Sequence, residues 1–96
     1  MKTIHKYQIP VGISKLSLPV GSEFLSVHLQ GNKVTLWVLK TNEFERESEF
    51  FIVTVVGDGW LVPPHIKKEH FVGTVQDADA EGTACHVFAH PSRMAV

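Results

Sequence analysis

The stretch that decides the fold is FLSVHLQGNKVTLWVLK, residues Phe24–Lys40. Apolar and polar side chains alternate on both sides of Gly31-Asn32, and this period of two residues is typical of strands with one buried face. A Gly-Asn pair between two such strands predicts a two-residue hairpin. We expect a type II′ turn, because glycine takes a positive φ at the first central position at little steric cost.

Similar short apolar segments, separated by turn residues, continue on both sides of this hairpin. Further strands are predicted at Thr3–Ile9, Ile13–Leu18, Phe50–Val56, His70–Gln76 and Thr83–His90. About seven strands, spaced by roughly 8–12 residues, predict an all-β fold, a small antiparallel β-sandwich or a partly open barrel. We expect a single domain over residues 1–90 and a short tail over residues 91–96.

Two polar segments interrupt the strands. Glu43–Glu49 contains four Glu and one Arg and is predicted to be a solvated loop. Asp77–Gly82 places acidic residues at positions one, three and five and Gly at position six, like the first half of an EF-hand loop. The twelfth position of that loop needs a bidentate carboxylate, but here it is Phe88. We therefore interpret the segment as a turn.

Composition excludes several classes of function. A chain of 96 residues has room for one core. Nine Lys plus Arg against ten Asp plus Glu give a net charge of -1, which does not supply the basic face that a nucleic acid polymer needs. The single Cys cannot form an internal disulfide, and no segment approaches the ~18 apolar residues of a membrane span. These features predict a cytoplasmic protein that has no targeting signal and no membrane contact.

Sequence motifs of catalysis are missing as well. The chain has no Gly-rich phosphate loop, no Gly-x-Ser-x-Gly elbow and no His-Glu-x-x-His pair. Cys85 and His86 are adjacent on a predicted strand and therefore face opposite ways, so Cys85 is expected to be a small buried hydrophobe. The sequence predicts neither an enzyme nor a cofactor.

Six histidines raise the question of a metal site. His86 and His90 share one face of the last predicted strand, and His70 could approach them from a neighbouring strand. Imidazole is a common ligand of zinc and nickel. Residues four apart on a strand are, however, about 13 Å apart along it, too far to share one ion. We interpret these histidines as surface or interface residues and predict no metal site.

The middle strands are apolar on both faces. Phe50–Val56 has almost no polar residue, and Trp37 shares a face with Leu39, opposite the face that carries Leu36. A small sandwich has one interior, so one interpretation is that a second copy covers the other face and that the protein is a homo-oligomer. The alternative is that loops such as Trp60–Pro64 fold back over it.

A ligand pocket, if the chain has one, is predicted near these strands and the irregular loop. The candidate ligand-binding residues are Trp37, Trp60, His65 and His70. An aromatic face can stack a base, and an imidazole can meet a phosphate. The alternative is that both Trp side chains anchor the core.

Several segments resemble a family of small bacteriophage and prophage proteins of unknown function. The resemblance rests on His5–Ile9, on Leu25–Val27 continuing through the Gly-Asn turn to Leu36-Trp37, on Phe71–Val75 and on His86–Phe88. It covers most of the chain, and no catalytic residue comes with it. The resemblance implies a phage accessory protein that acts in the bacterial cytoplasm.

Two hypotheses about function follow. The first is a non-enzymatic, phage-encoded binding protein that inhibits or sequesters a host factor, either a protein or a small nucleotide-like ligand, in an anti-defence role. The alternative is a minor component of the virion or of its assembly, acting as an oligomeric building block.

Overall fold

Seven strands form two antiparallel sheets in a computed structural model that describes residues 1–41, 47–76 and 84–92. The strands are β1 Thr3–Gln8, β2 Gly12–Pro19, β3 Glu23–Gln30, β4 Lys33–Lys40, β5 Ser48–Gly57, β6 Phe71–Val75 and β7 Cys85–Pro91. One sheet has the order β1-β4-β3 and the other the order β2-β5-β7-β6, and the strands do not close into a barrel. The predicted all-β class and antiparallel sandwich are confirmed.

The core lies between the two sheets and takes alternate side chains from each. Buried core residues include Val34, Leu36 and Val38 of β4 and Phe51, Val53 and Val55 of β5. Phe24 and Phe51 meet edge to face across the sheets, with ring centroids 5.4 Å apart. Each large apolar side chain buried here contributes about 1.5–3 kcal/mol to stability. Cys85 is buried in the same core, as predicted.

The hairpin between β3 and β4 turns at Gly31-Asn32, but its turn type differs from the prediction. The angle φ is positive at both residues, 58° at Gly31 and 66° at Asn32. Two positive φ angles define a type I′ turn, whereas type II′ has only the first. The predicted type II′ turn is therefore wrong. Asparagine tolerates the left-handed region, and type I′ matches the right-handed twist of the flanking strands.

Strand β6 comes very close to β3 at Gly73. A Cβ atom at this position would lie 2.8 Å from Cγ1 of Val27, a distance that real Cβ atoms essentially never show. Gly73 also lies where the register between β6 and β7 shifts. The absence of a side chain at Gly73 is therefore what lets β6 pack against β3.

Strand β5 begins earlier than predicted. Ser48 pairs with Pro19 and Glu49 with Leu18, so the end of the predicted Glu43–Glu49 loop belongs to the β2–β5 ladder. That part of the loop prediction is wrong, because pairing with β2 outweighs the low strand propensity of these polar residues. The part of the loop at residues 43–46 and the EF-hand-like segment at residues 77–82 lie outside the described residues.

The outer face of the four-stranded sheet, meaning the face turned away from the core, is partly covered by the chain itself. Thr54 and Val56 point to this face of β5 and are nonetheless buried. Val56 and Ile66 are buried apolar residues that do not belong to the core between the sheets. We conclude that residues 58–70 form a second packing layer, since two of their histidines contact β7 on this face.

Coverage of this outer face is incomplete. Ile13 of β2 and Phe50 of β5 lie on it and remain 67% and 53% exposed. Trp60, Leu61 and Val62, which the alternative interpretation placed over this face, are themselves exposed. Within the same segment Ile66 is buried, and His65 and His70 contact His90 of β7. Self-association through the uncovered part remains a prediction.

Candidate functional site

The outer face of β7 carries the side chains with the most chemistry. His86, Phe88 and His90 alternate along the strand with Val87 and Ala89, which belong to the core. The ring of Phe88 packs edge to face against Phe71 of β6, with centroids 5.5 Å apart. The two histidines at either end of this row have different partners and form two separate polar groups.

One group, the imidazole cluster, consists of His65, His70 and His90. The ring centroid of His90 lies 5.1 Å from that of His70 and 5.7 Å from that of His65. His90 comes from β7, while the other two come from the segment that crosses the outer face. The fold therefore brings together two of the predicted ligand-binding residues, His65 and His70, around a third histidine.

His90 has a buried nitrogen without a partner. Its side chain is 6% exposed, and Nδ1–H donates to the carbonyl oxygen of Pro91 over 2.9 Å. Because a carbonyl oxygen only accepts, the proton of the neutral ring lies on Nδ1, and Nε2 is left as an acceptor. No described residue donates to this buried Nε2. A buried polar atom left in this way costs about 1–3 kcal/mol.

Two consecutive turns place His65 and His70. The N–H of Ile66 donates to the oxygen of Pro63 over 3.0 Å, and the N–H of His70 donates to the oxygen of Lys67 over 3.0 Å. The N–H of Lys67 donates in return to Nδ1 of His70 over 2.9 Å. Nε2 of a neutral His70 therefore carries the proton. The cluster combines a ring that donates through Nε2 with a ring that accepts through Nε2.

A second unpaired polar atom lies on the same face. The hydroxyl of Thr54 is buried without a hydrogen-bond partner among the described residues, and Thr54 is 2% exposed. Thr54 pairs with Phe88, and the adjacent pair on this face is Ile52 with His90. The two unpaired atoms thus belong to diagonal neighbours on β5 and β7, which lie within about 7–8 Å of each other.

The covering segment adds positive charge beside the cluster. Lys67 and Lys68 are exposed, with Glu69 as the adjacent carboxylate. Exposed ammonium groups next to these imidazoles provide a surface that favours an anionic group.

The two predicted Trp residues lie elsewhere. The indole of Trp60 packs at the end of β5, where a Cβ atom added to Gly57 would be 3.2 Å from it, and Trp60 is 56% exposed. Trp37 lies on the outer face of the other sheet, with Nζ of Lys6 5.7 Å from its ring centroid. No contact between either indole and the imidazole cluster is found among the described residues, so these two residues stay separate predictions.

The second polar group surrounds His86 at the other end of the row. Nε2–H of His86 donates to Oδ1 of Asp58 over 2.6 Å, and the hydroxyl of Thr74 donates to Nδ1 of His86 over 2.9 Å. His86 and His90 therefore do not converge. Over residues 1–41, 47–76 and 84–92, no three side chains of His, Cys, Asp or Glu are arranged to hold a metal ion.

An open cleft of about 390 Å³ lies at a different place, between the turn after β1 and the β3–β4 turn. Gln8, Asn32 and Lys33 supply its polar lining, and all three are exposed. None of the predicted ligand-binding residues lines it.

His90 is the residue that sequence reasoning missed as part of a ligand site. The alternation of His86, Phe88 and His90 on one strand face indicated that His90 points away from the core. The sequence offered a fold-back of Trp60–Pro64 over this face only as an alternative, and it did not indicate that His65 and His70 would lie against His90 and bury it.

Comparison with known proteins gives the chain a family. Residues 1–95 match a domain of unknown function, DUF7352. The chain belongs to the DUF7352 family. This family description names no function, and it carries no indication of a phage origin. No significant match was found among curated proteins or among solved structures. For the described part of this DUF7352 domain, no helix is long and apolar enough to cross a membrane.

Proposed function

We propose that this DUF7352 protein is a non-enzymatic binding protein whose ligand site is the imidazole cluster. The observation that carries the proposal is the buried Nε2 of His90, which accepts no hydrogen bond from the described residues while two further imidazoles lie against its ring. Native proteins leave few buried polar atoms unpaired, and a role in binding is one of the explanations for such an atom. A ligand that displaces the covering ring of His65 or His70 and donates to this nitrogen would supply the missing bond.

The donor and acceptor pattern supports a nucleotide-like ligand. A ring that donates through Nε2 and a ring that accepts through Nε2, with centroids 5.1 Å apart, are complementary to a group that both accepts and donates, such as an amide or the edge of a nucleobase. Lys67 and Lys68 on the covering segment favour an adjoining phosphate. A mononucleotide combines these two features in one molecule.

The experiment is a titration with adenosine 5′-monophosphate, followed by calorimetry, with inorganic phosphate as a parallel probe. We expect the nucleotide to bind and His90→Phe to weaken binding at least tenfold. His28→Phe is the matched control, because His28 is exposed on β3 in the other sheet. The absence of nucleotide binding, or equal affinity in both variants, would contradict the proposal. If inorganic phosphate bound as tightly as the nucleotide, the site would recognise only an anion, and the proposed recognition of the nucleobase would be wrong.

A finer proposal concerns the biological setting. The resemblance to small phage and prophage proteins supports a phage-encoded protein that acts in the bacterial cytoplasm by sequestering a host nucleotide or a host protein. Expression in bacteria that carry a nucleotide-signalling defence, followed by phage challenge, tests this. Rescue of the phage by the wild-type protein and not by His90→Phe is expected. If the wild-type protein and His90→Phe rescued the phage equally, the anti-defence role would not depend on the imidazole cluster.

We also propose that the protein self-associates through the uncovered part of the outer face, around Ile13 and Phe50. Two exposed large apolar side chains on neighbouring strands support a homo-oligomer, which is also what the alternative role as a virion building block requires. Sedimentation should give a mass above that of one chain, and Phe50→Ser should lower it. A protein that sediments as a monomer at all concentrations would exclude both the homo-oligomer and the role as a virion building block.

A further inference from the structure

The second polar group on the outer face has the arrangement of an activated nucleophile. Thr74, His86 and Asp58 follow one another through hydrogen bonds of 2.9 Å and 2.6 Å. We infer that Oγ1 of Thr74 accepts an acyl group from an activated acyl donor, such as an aryl ester, a thioester or an acyl phosphate, with His86 as the general base. This inference concerns residues that the proposed ligand site does not use.

The proton positions are those that such chemistry needs. An ionised carboxylate only accepts, so the bond to Asp58 places a proton on Nε2 of His86. In the neutral ring Nδ1 then carries a lone pair, and the Thr74 hydroxyl donates to it. A nucleophile that points its proton at a base, while a carboxylate fixes the tautomer of that base, is the signature of nucleophilic catalysis on many folds. Asp58 acts here as a positioning residue.

Two paired strands and a hydrogen-bonded turn position the three side chains. Thr74 and His86 are register partners across β6 and β7, and His86 also pairs with Val56 on β5. Asp58 follows directly after β5, in a turn closed by a bond from the N–H of Trp60 to the oxygen of Gly57. Because strands position side chains more firmly than free loops do, Thr74 and His86 are in place before any substrate binds.

A substrate can reach the relay, meaning the hydrogen-bonded residues Thr74, His86 and Asp58. Thr74 is exposed, and the side chains of His86 and Asp58 are 30% and 68% exposed. The imidazole cluster lies about 13 Å away along β7, since His86 and His90 are four residues apart on one strand. The two sites therefore act without sharing a side chain.

The reaction balances without a further reactant. With p-nitrophenyl acetate, Oγ1 of Thr74 attacks the carbonyl carbon while its proton passes to Nδ1 of His86. The bond between the carbonyl carbon and the nitrophenolate oxygen then breaks. The proton on Nδ1 leaves to solvent or to the departing nitrophenolate, and an acetyl ester remains on Thr74.

The chain contains an internal control for this chemistry. The hydroxyl of Thr3 and Nε2 of His5 lie 3.1 Å apart on β1, and both residues are exposed. No carboxylate among the described residues contacts His5. Thr3 is thus a threonine next to a histidine that no carboxylate orients. The ratio of the acetylation rates of Thr74 and Thr3 measures how much the carboxylate-oriented base contributes.

The experiment treats the full chain with p-nitrophenyl acetate and quantifies acetylation of each threonine by peptide mass spectrometry. We expect Thr74 to react about 100-fold faster than Thr3, the lower range of general-base catalysis. His86→Ala should bring the rate at Thr74 down to that of Thr3, whereas Thr74→Ser should remain an acceptor. Equal rates at Thr74 and Thr3 in the wild-type protein would overturn the inference.

Asp58 is tested with two variants. Asp58→Asn can donate to Nε2 of His86 and so move the ring proton to Nδ1, which removes the base from Thr74. We expect this variant to lose at least tenfold in the acetylation rate and Asp58→Glu to restore part of it, with unchanged thermal unfolding. Because both sites react in a single folded chain, Thr3 also reports any general loss of structure. A rate at Thr74 that neither variant changes would contradict the role of Asp58.

Discussion

The rings of His70 and His90 lie with centroids 5.1 Å apart and planes inclined by 42°, although one comes from the covering segment and the other from β7. His70 presents a proton on Nε2, and His90 presents a lone pair that no described residue uses. This contact joins a loop that sequence patterns describe poorly to a strand that they describe well. The proposed binding function depends on it.

The first prediction is that His90 serves binding more than stability. His90→Phe removes the unpaired acceptor together with the bond to Pro91, and these two effects have opposite signs and similar size. We expect the free energy of unfolding in urea to change by less than about 1 kcal/mol. Leu36→Ala, in the fully buried core, should cost about 2–5 kcal/mol by comparison. A loss at His90→Phe as large as that at Leu36→Ala would make His90 a structural residue.

The second prediction uses two buried threonines with opposite hydrogen bonding. The hydroxyl of Thr54 has no partner among the described residues, whereas that of Thr35 donates to the oxygen of Lys33 over 3.1 Å. Thr54→Val should therefore raise the free energy of unfolding by about 1 kcal/mol, and Thr35→Val should lower it by about 1 kcal/mol. Chemical denaturation of both variants measures this. If both substitutions lowered the free energy of unfolding, the Thr54 hydroxyl would have to be paired in solution.

The third prediction concerns the approach of β6 to β3. Gly73→Ala places a methyl group 2.8 Å from Cγ1 of Val27 and should destabilise the protein by about 1–3 kcal/mol. Val27→Ala removes the atom that clashes, so the double variant should lose less stability than the sum of the two single variants. Additive losses in a double-mutant cycle would mean that this contact does not set the spacing of the sheets.

The alternation of apolar residues was enough to predict most of this fold. It indicated seven strands, the Phe24–Lys40 hairpin and the buried face of β4, because a half-buried strand must alternate. It did not give the turn type, since Gly31-Asn32 can adopt either primed turn and only the φ of Asn32 decides between them. The start of β5 was also missed, because its polar first residues are held by pairing with β2.

The candidate site was harder to predict, for a physical reason. His65 and His70 were identified as candidate ligand-binding residues, with His70 at the start of a predicted strand, but their contact with His90 depends on where residues 58–70 pack, and no periodic pattern encodes that. The hydrogen bonds of Asp58, His86 and Thr74 depend on register between β5, β6 and β7, which one sequence does not specify. The two Trp residues were grouped with the histidines because all four were predicted near the two-sided strands and the irregular loop, and the fold keeps them apart.

The measurement that tests the central claim most directly is the ¹⁵N chemical shift of His90 Nε2, followed as adenosine 5′-monophosphate is added to the full chain. The free protein should show Nε2 as an unprotonated nitrogen without a hydrogen bond. Binding should move this resonance in the direction of an accepted hydrogen bond, together with His70, while His28 stays unchanged. A His90 Nε2 resonance that does not move at saturating nucleotide would contradict the proposed site.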